Sequence, residues 1–273
     1  MTLSAIMVHL DVESSDDACL AVAIDLAEQF DAKLIGVAAA TLPWSYLAQD
    51  LSPSLIKELN AGVTKSLAAS ENRFRAATTK RVRRVEWRSA LAEPTSYVLQ
   101  QARASDLIVI GGERHGLVRD PLLGHLDPGD FVMQAGRPVL VVPPSAGRIK
   151  LKSALVAWKD TREARRAVND ALPLLQKVQD VTVVEIIDNE NQRGGVHDRL
   201  DDVVAWLAGH GIAAVSRAFH FPENKDPMEK LWGYGADFIV AGAYGHARLR
   251  EWIFGGFTRD LLKRSPQCVF LAH

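Results

Sequence analysis

Cysteine is scarce in this chain: only Cys19 and Cys268 occur among 273 residues, with no C-x-x-C pair and no metal-ligand spacing. A disulfide-stapled scaffold and a zinc module are excluded on that count. Each thiol sits in an apolar pattern and is expected to be buried and reduced. Long hydrophobic runs are missing as well. No stretch approaches the roughly 20 apolar residues that a membrane span needs. The opening segment, Met1 to Leu10, lacks the basic start and small-residue cleavage site of a leader. The expected setting is therefore the cytoplasm, with no membrane partner. An excess of one charge is absent too, since 32 basic and 33 acidic side chains leave a net charge of −1. No overall field draws such a chain to nucleic acid, so any anion site has to be local. The cluster Arg81, Arg83, Arg84 and Arg88 has no aromatic platform beside it and reads as a solvated strand face. Catalytic signatures are equally thin: there is no G-x-S-x-G elbow, no Walker A run and no G-x-G-x-x-G.

What is present is a regular alternation of strand and helix signals. Ala5 to Val8 is a short apolar run, and Ser14 to Asp17 is N-cap material for a helix carrying Leu20, Ile24, Ala27 and Phe30 on one face. Lys33 to Ala38 forms a second strand, and a long amphipathic helix follows Ser52-Pro53 with Ile56, Leu59, Val63, Leu67 and Phe74 in one stripe. Val85, Trp87 and Ser89 alternate with charged residues, which predicts a half-exposed or edge strand. Pro94 opens the next helix, residues 106–112 form a buried fourth strand, and Val139 to Val142 form a fifth.

After the Pro143 to Gly147 knot the pattern starts again, with strands at Ala154 to Trp158, Val181 to Ile187, Val215 to Phe219, Phe238 to Ala241 and Cys268 to Leu271. Asp106-Leu-Ile-Val-Ile-Gly is matched by Asp237-Phe-Ile-Val-Ala-Gly 131 positions later. Two copies of one α/β domain are predicted, spanning 1–147 and 148–273, each with a parallel sheet wound on both faces by helices. Ligands of such sheets lie beyond the carboxyl ends of the strands, where strand order reverses. The loop Trp158-Lys159-Asp160 is therefore expected to face Gly242-x-x-Gly245. The two fifth strands are exposed edges that can pair with each other inside the chain, as an internal pseudo-dimer. A homodimer of whole chains stays open.

The stretch that organises this reading is Gly242-Ala-Tyr-Gly245, nine residues, then Gly255-Gly256-Phe257-Thr258 at the opening of a helix. Glycines let backbone N–H groups approach an anion, and a helix start adds unpaired donors, so the stretch outlines a phosphate cradle. His246 and Arg248, inside the intervening loop, are candidate phosphate donors and equally candidate solvated side chains.

With its duplication, its turn after the first strand and its Gly-x-x-Gly-(nine residues)-Gly spacing, the chain resembles the universal stress protein family in its tandem two-domain form, over essentially its whole length. The resemblance implies a five-stranded sheet of order 3-2-1-4-5 in each domain. It also implies ATP or another adenine nucleotide, with or without magnesium, at the glycine motif, although some members of the family bind none. Gly242, Gly245, Gly255 and Gly256 match its phosphate loop, with Gly256 standing where the pattern has Ser or Thr and Thr258 as the nearest hydroxyl. The family aspartate after the first strand falls at Lys159, with Asp160 beside it as a group that can turn inward. Ile186 matches a position whose backbone meets adenine.

The first copy keeps Asp11 at the aspartate position but has His9 for a usual proline. It carries Arg114 where the second copy has Gly245, and Gly124 is followed by Asp127 and Pro128. It is expected to be a degenerate copy. The expected function is thus a stress-response protein with one regulatory adenine nucleotide in the second domain and a protein partner of unknown kind. The alternatives are a non-nucleotide interaction module of the same fold and a slow ATPase.

Overall fold

The structure, a computed structural model, describes residues 2–12, 18–42, 52–112, 125–187, 195–220, 227–244 and 256–273. Its centre is one ten-stranded sheet. In the first half, β1 (Ala5–His9), β2 (Lys33–Ala40), β3 (Val85–Leu91), β4 (Leu107–Gly111) and β5 (Val139–Val142) alternate with helices α1 (Ala18–Phe30), α2 (Pro53–Thr78), α3 (Pro94–Gln101) and α4 (Pro128–Gln134). The second half contributes β6 (Ser153–Trp158), β7 (Asp180–Ile187), β8 (Ala214–His220), β9 (Phe238–Gly242) and β10 (Cys268–Ala272). Its helices are α5 (Arg162–Leu175), α6 (Val196–Gly209), α7 (Pro227–Gly233) and α8 (Gly256–Arg264).

The strands run in the order β3-β2-β1-β4-β5-β10-β9-β6-β7-β8, so each half has the order 3-2-1-4-5 read from its outer edge. Pairing is parallel within each half. At the seam β10 meets β5 antiparallel, with Phe270 opposite Leu140. The two fifth strands thus cover each other's open backbone groups, as their edge position requires.

Helices lie on both faces of the sheet. One apolar cluster packs α1, α5 and α6 against Ile6, Val8, Val156, Val183 and Phe238, and the opposite one packs Phe131, Met228, Leu231, Leu261 and Leu262 against Met7, Ile108 and Ile239. Alternate residues along each strand therefore serve opposite cores, and the near-continuous apolar runs of β4 and β9 follow from burial on both sides.

β3 is an edge strand, with Val85 and Leu91 exposed. The long helix α2 buries Val63, Leu67 and Phe74 but leaves Ile56 and Leu59 only half-buried. Cys268 is buried in β10. Cys19, expected to be buried, is only half-buried in the first turn of α1, where it packs at the margin of the core. The cap segment 13–17 lies outside the described residues.

Local chemistry sets the element ends. Ser52 caps α2 by accepting from the Leu55 N–H, and Glu93 caps α3 by accepting from the Thr95 and Ser96 N–H groups at 2.8 and 2.7 Å. The repeated aspartate that begins the fourth strand of each half also has a task. Asp106 Oδ2 accepts from the N–H groups of Ser4 and Ala5, and Asp237 Oδ2 from those of Lys152 and Ser153. Each clamps the start of its half's first strand.

On the edge pair β2–β3, Arg88 and then Lys33 hold the Glu86 carboxyl at about 2, below its ordinary 4.5. A carboxylate depressed on folding stabilises the protein fully above its ordinary value and loses that contribution as pH falls through the folded one. The urea midpoint is therefore expected to fall as pH drops from 4.5 to 2, and less steeply in Glu86→Gln. Equal slopes in the two proteins would rule out this ion pair as a source.

Candidate functional site

In the second half the strand order reverses between β9 and β6, and Ala157 pairs with Ala241, which makes Trp158 and Gly242 neighbours at the strand ends. The switch point at which topology expects a ligand thus lies at the carboxyl ends of β6 and β9. The chain leaves β6 through Lys159 and Asp160 and enters α5, whose cap Thr161 accepts from the Ala164 N–H at 3.2 Å.

Glu163, in the first turn of α5, is buried at 2% exposure and paired with Arg162. Burial works against ionisation of its carboxyl, yet Arg162, its own N–H and Thr161 together hold it below the usual carboxylate range. The positive end of α5 is therefore already served by groups of the chain itself.

Gly242 has a structural reason to be glycine. A Cβ there would lie 2.5 Å from the backbone nitrogen of Ala164 and 2.6 Å from the carbonyl carbon of Glu163. The first turn of α5 rests on the end of β9 so closely that no side chain fits. The matched glycine of the first half, Gly111, is different, since among the described residues a Cβ there would meet only Cys19 Sγ, at 3.7 Å.

The other sequence-predicted residues distribute as follows. Lys159 and Asp160 are exposed, and Asp160 is engaged by Arg165 one turn into α5, so its carboxylate runs along the helix rather than inward. Ile186 and Phe257 are half-buried against the cluster on the opposite face from Trp158. Gly256 opens α8 exposed, with no atom of the described residues within 4 Å of where a side chain would be. Thr258 is buried, its Oγ1 3.5 Å from the backbone N–H of Tyr244, so the hydroxyl faces the end of β9 instead of solvent. Gly245, His246, Arg248 and Gly255 lie outside the described residues, as do Glu113, Arg114 and Gly124 of the first half.

Two residues near these strand ends were not singled out as site residues in the sequence. Tyr244 takes a positive φ of 52°, and a Cβ on Gly129, at the start of α4 in the first half, would lie 2.9 Å from the Tyr244 hydroxyl. A side chain at 129 would therefore push the Tyr244 hydroxyl aside across the seam. Glu185, register partner of Trp158, is buried and accepts from Arg199 Nη2 at 3.0 Å. Its signal in the sequence was a lone carboxylate inside the apolar strand Val181 to Ile187. Among the described residues, no group of three or more His, Cys, Asp or Glu side chains is placed to hold a metal ion, and no helix is long and apolar enough to cross a membrane.

Solved structures with this architecture span nearly the whole chain. A universal stress protein from Archaeoglobus fulgidus DSM 4304 superposes with a TM-score of 0.73 at 17% identity, covering 98% of this chain and 95% of that one. The fold is that of the universal stress proteins. A protein proposed to be a universal stress protein, from Pseudomonas aeruginosa UCBPP-PA14, follows at a TM-score of 0.65 and 13% identity, covering 99% of this chain and 93% of its own. A protein of unknown function from Pseudomonas aeruginosa PAO1 matches at 0.60 and 14%, covering 99% and 92%. No protein-family profile and no curated protein matches the sequence. The likeness is thus one of architecture, and the chemistry of the site rests on this chain's own residues.

Proposed function

We propose that this chain is a cytoplasmic stress-response protein that binds one adenine nucleotide as a regulatory ligand in its second domain, 148–273, with 1–147 as a degenerate copy. The observation that carries the reading is the exposed start of α8 at Gly256, beside the point where the strand order reverses. Unpaired N–H groups at a helix start are an anion site in waiting. The backbone of Gly242, Gly245, Gly255 and Gly256 would hold the phosphates, with Lys159 supplying charge and His246 and Arg248 as further donors. No side chain is assigned to magnesium or to hydrolysis.

Equilibrium binding of ATP, ADP and AMP to the purified chain tests the reading. Binding tighter than ~1 mM, about −4 kcal/mol, is expected. Gly245→Arg, which installs in the second half the residue type that Arg114 supplies in the first, should abolish it. Absence of binding by all three nucleotides refutes the proposal.

A non-nucleotide interaction module is the second reading, and one observation favours it. The start of α5 is occupied by the buried Glu163 carboxylate, which repels a phosphate brought near it. Stoichiometric nucleotide released from the purified protein on denaturation would eliminate this alternative.

A further inference from the structure

The geometry points to an interaction surface at the outer edge of β3, where a second copy of this chain pairs antiparallel through its own β3 and carries the sheet across two molecules. The inference is independent of the nucleotide reading. Among the described residues β3 pairs with β2 alone, at one end of the ten-stranded order. The Arg84 carbonyl accepts from the Leu34 N–H at 2.9 Å, which sets the parity of the strand. Backbone groups alternate sides along a strand, so those of Glu86, Arg88 and Ala90 face β2 as well, and those of Val85, Trp87 and Ser89 face outward. A row of outward N–H and C=O groups is a template for another chain.

Hydrogen bonding between two such edges requires outward-facing residues to stand opposite each other. One register meets this with Trp87 opposite the second copy's Trp87. It sets Val85 opposite Ser89 and Glu86 opposite Arg88, and two-fold symmetry makes each of these contacts twice. Glu86 and Arg88 then meet as a non-hydrogen-bonded pair, the arrangement in which opposed Cα atoms are closest, at about 4.5 Å. Opposite charges so placed favour pairing, as do facing aromatic residues. The neighbouring registers put Glu86 opposite Glu86 or Arg88 opposite Arg88. Charges that ordinarily keep an edge strand single therefore select one pairing here.

Both charged side chains are within reach of a second copy. Glu86 is 34% and Arg88 22% exposed, and they are held in place by each other, by Lys33 on Glu86 and by the bond from Arg88 Nη1 to Gln101 Oε1 at 3.0 Å. Val85, at the start of the strand, is an exposed apolar side chain that the pairing would cover. The other outer edge, β8, has Arg217 as its only Asp, Glu, Lys or Arg, so it offers no such match with itself.

Sedimentation of the full chain over a range of concentration tests the inference. The wild type is expected to reach twice the chain mass, and to dissociate more readily at high salt. Ser89→Pro removes an outward N–H that the β2–β3 ladder does not use, and should leave a folded single chain where the wild type is a dimer. Glu86→Arg and Arg88→Glu, each alone, set like charges opposite one another and should weaken the dimer by ~10-fold or more. Mixed in equal amounts, the two charge variants regain opposite charges at both contacts and should form a heterodimer. A wild type that sediments as a single chain throughout overturns the inference. So does a dimer that Ser89→Pro leaves intact, a mixture of the charge variants that stays monomeric, or an open series of larger species, the result expected if β3 pairs with β8 instead.

Discussion

Gly242→Ala is expected to destabilise the protein by about 3 kcal/mol or more, whereas Gly111→Ala, at the matched position of the first half, is expected to be neutral or slightly stabilising. The two substitutions add the same methyl group to the last residue of equivalent strands. At Gly242 the new atom would sit 2.5 Å from the Ala164 nitrogen and 2.6 Å from the Glu163 carbonyl carbon. Both are backbone atoms of the first turn of α5, so relief requires moving the helix rather than turning a side chain. At Gly111 the nearest atom of the described residues is Cys19 Sγ, at an ordinary contact distance of 3.7 Å.

Urea unfolding of the two variants beside the wild type measures the difference, and equal midpoints would refute the packing argument. The comparison also bears on function. Nucleotide binding lost in Gly242→Ala would report a displaced helix, so the phosphate loop has to be probed at Gly245.

Asp25→Ala is expected to cost about 3 kcal/mol, the scale for removing one partner from a buried charge network. Asp25 lies in α1 at 4% exposure and accepts from Arg81 Nη2 at 2.9 Å, Arg148 Nη2 at 2.9 Å and the Ile149 N–H at 3.2 Å. Arg148 and Ile149 belong to the segment that leads into the second half, so this one carboxylate fastens the connection between halves to the first helix. Its removal leaves a buried backbone N–H without its acceptor and takes a carboxylate from Arg148 and from Arg81, of which Arg81 keeps Glu28.

Arg148→Ala is the internal control. That side chain is 69% exposed, and its loss leaves the Arg81 and Ile149 bonds in place, so a cost of at most about 1 kcal/mol is expected. If Asp25→Ala costs no more than Arg148→Ala, the network does not hold the halves together.

Much of the architecture was legible because its signals are local. The buried strand runs at 107–111 and 238–242, the proline-led starts of α2 and α3, and the edge character of β3 follow from periodicity and capping within a few residues. The repeat of Asp106 and Asp237 was visible as a match, but its reason was not. Each aspartate acts on the first strand of its half, about a hundred residues away in the first half, and only the sheet brings them together. Asp160 was expected to be able to turn inward. It instead pairs with Arg165, because an exposed carboxylate just before a helix finds a basic partner one turn on more readily than it gives up water. Thr258 was read as a hydroxyl for a phosphate, and it lies buried against the Tyr244 backbone because the first turn of α8 folds it onto the end of β9.

By itself the sequence determined the α/β class, the order of elements, the duplication and the place of the glycine-rich stretch. These depend on periodicity, on caps and on apolar runs, which short-range physics reads without knowledge of neighbours. The tertiary structure alone decided that β5 and β10 join the halves into one sheet, that Gly242 is a packing glycine, and that Trp158 and Glu185 are register partners on one buried face. Each of these is a matter of register and close approach between segments distant in the chain, and no local pattern in the sequence specifies a distance.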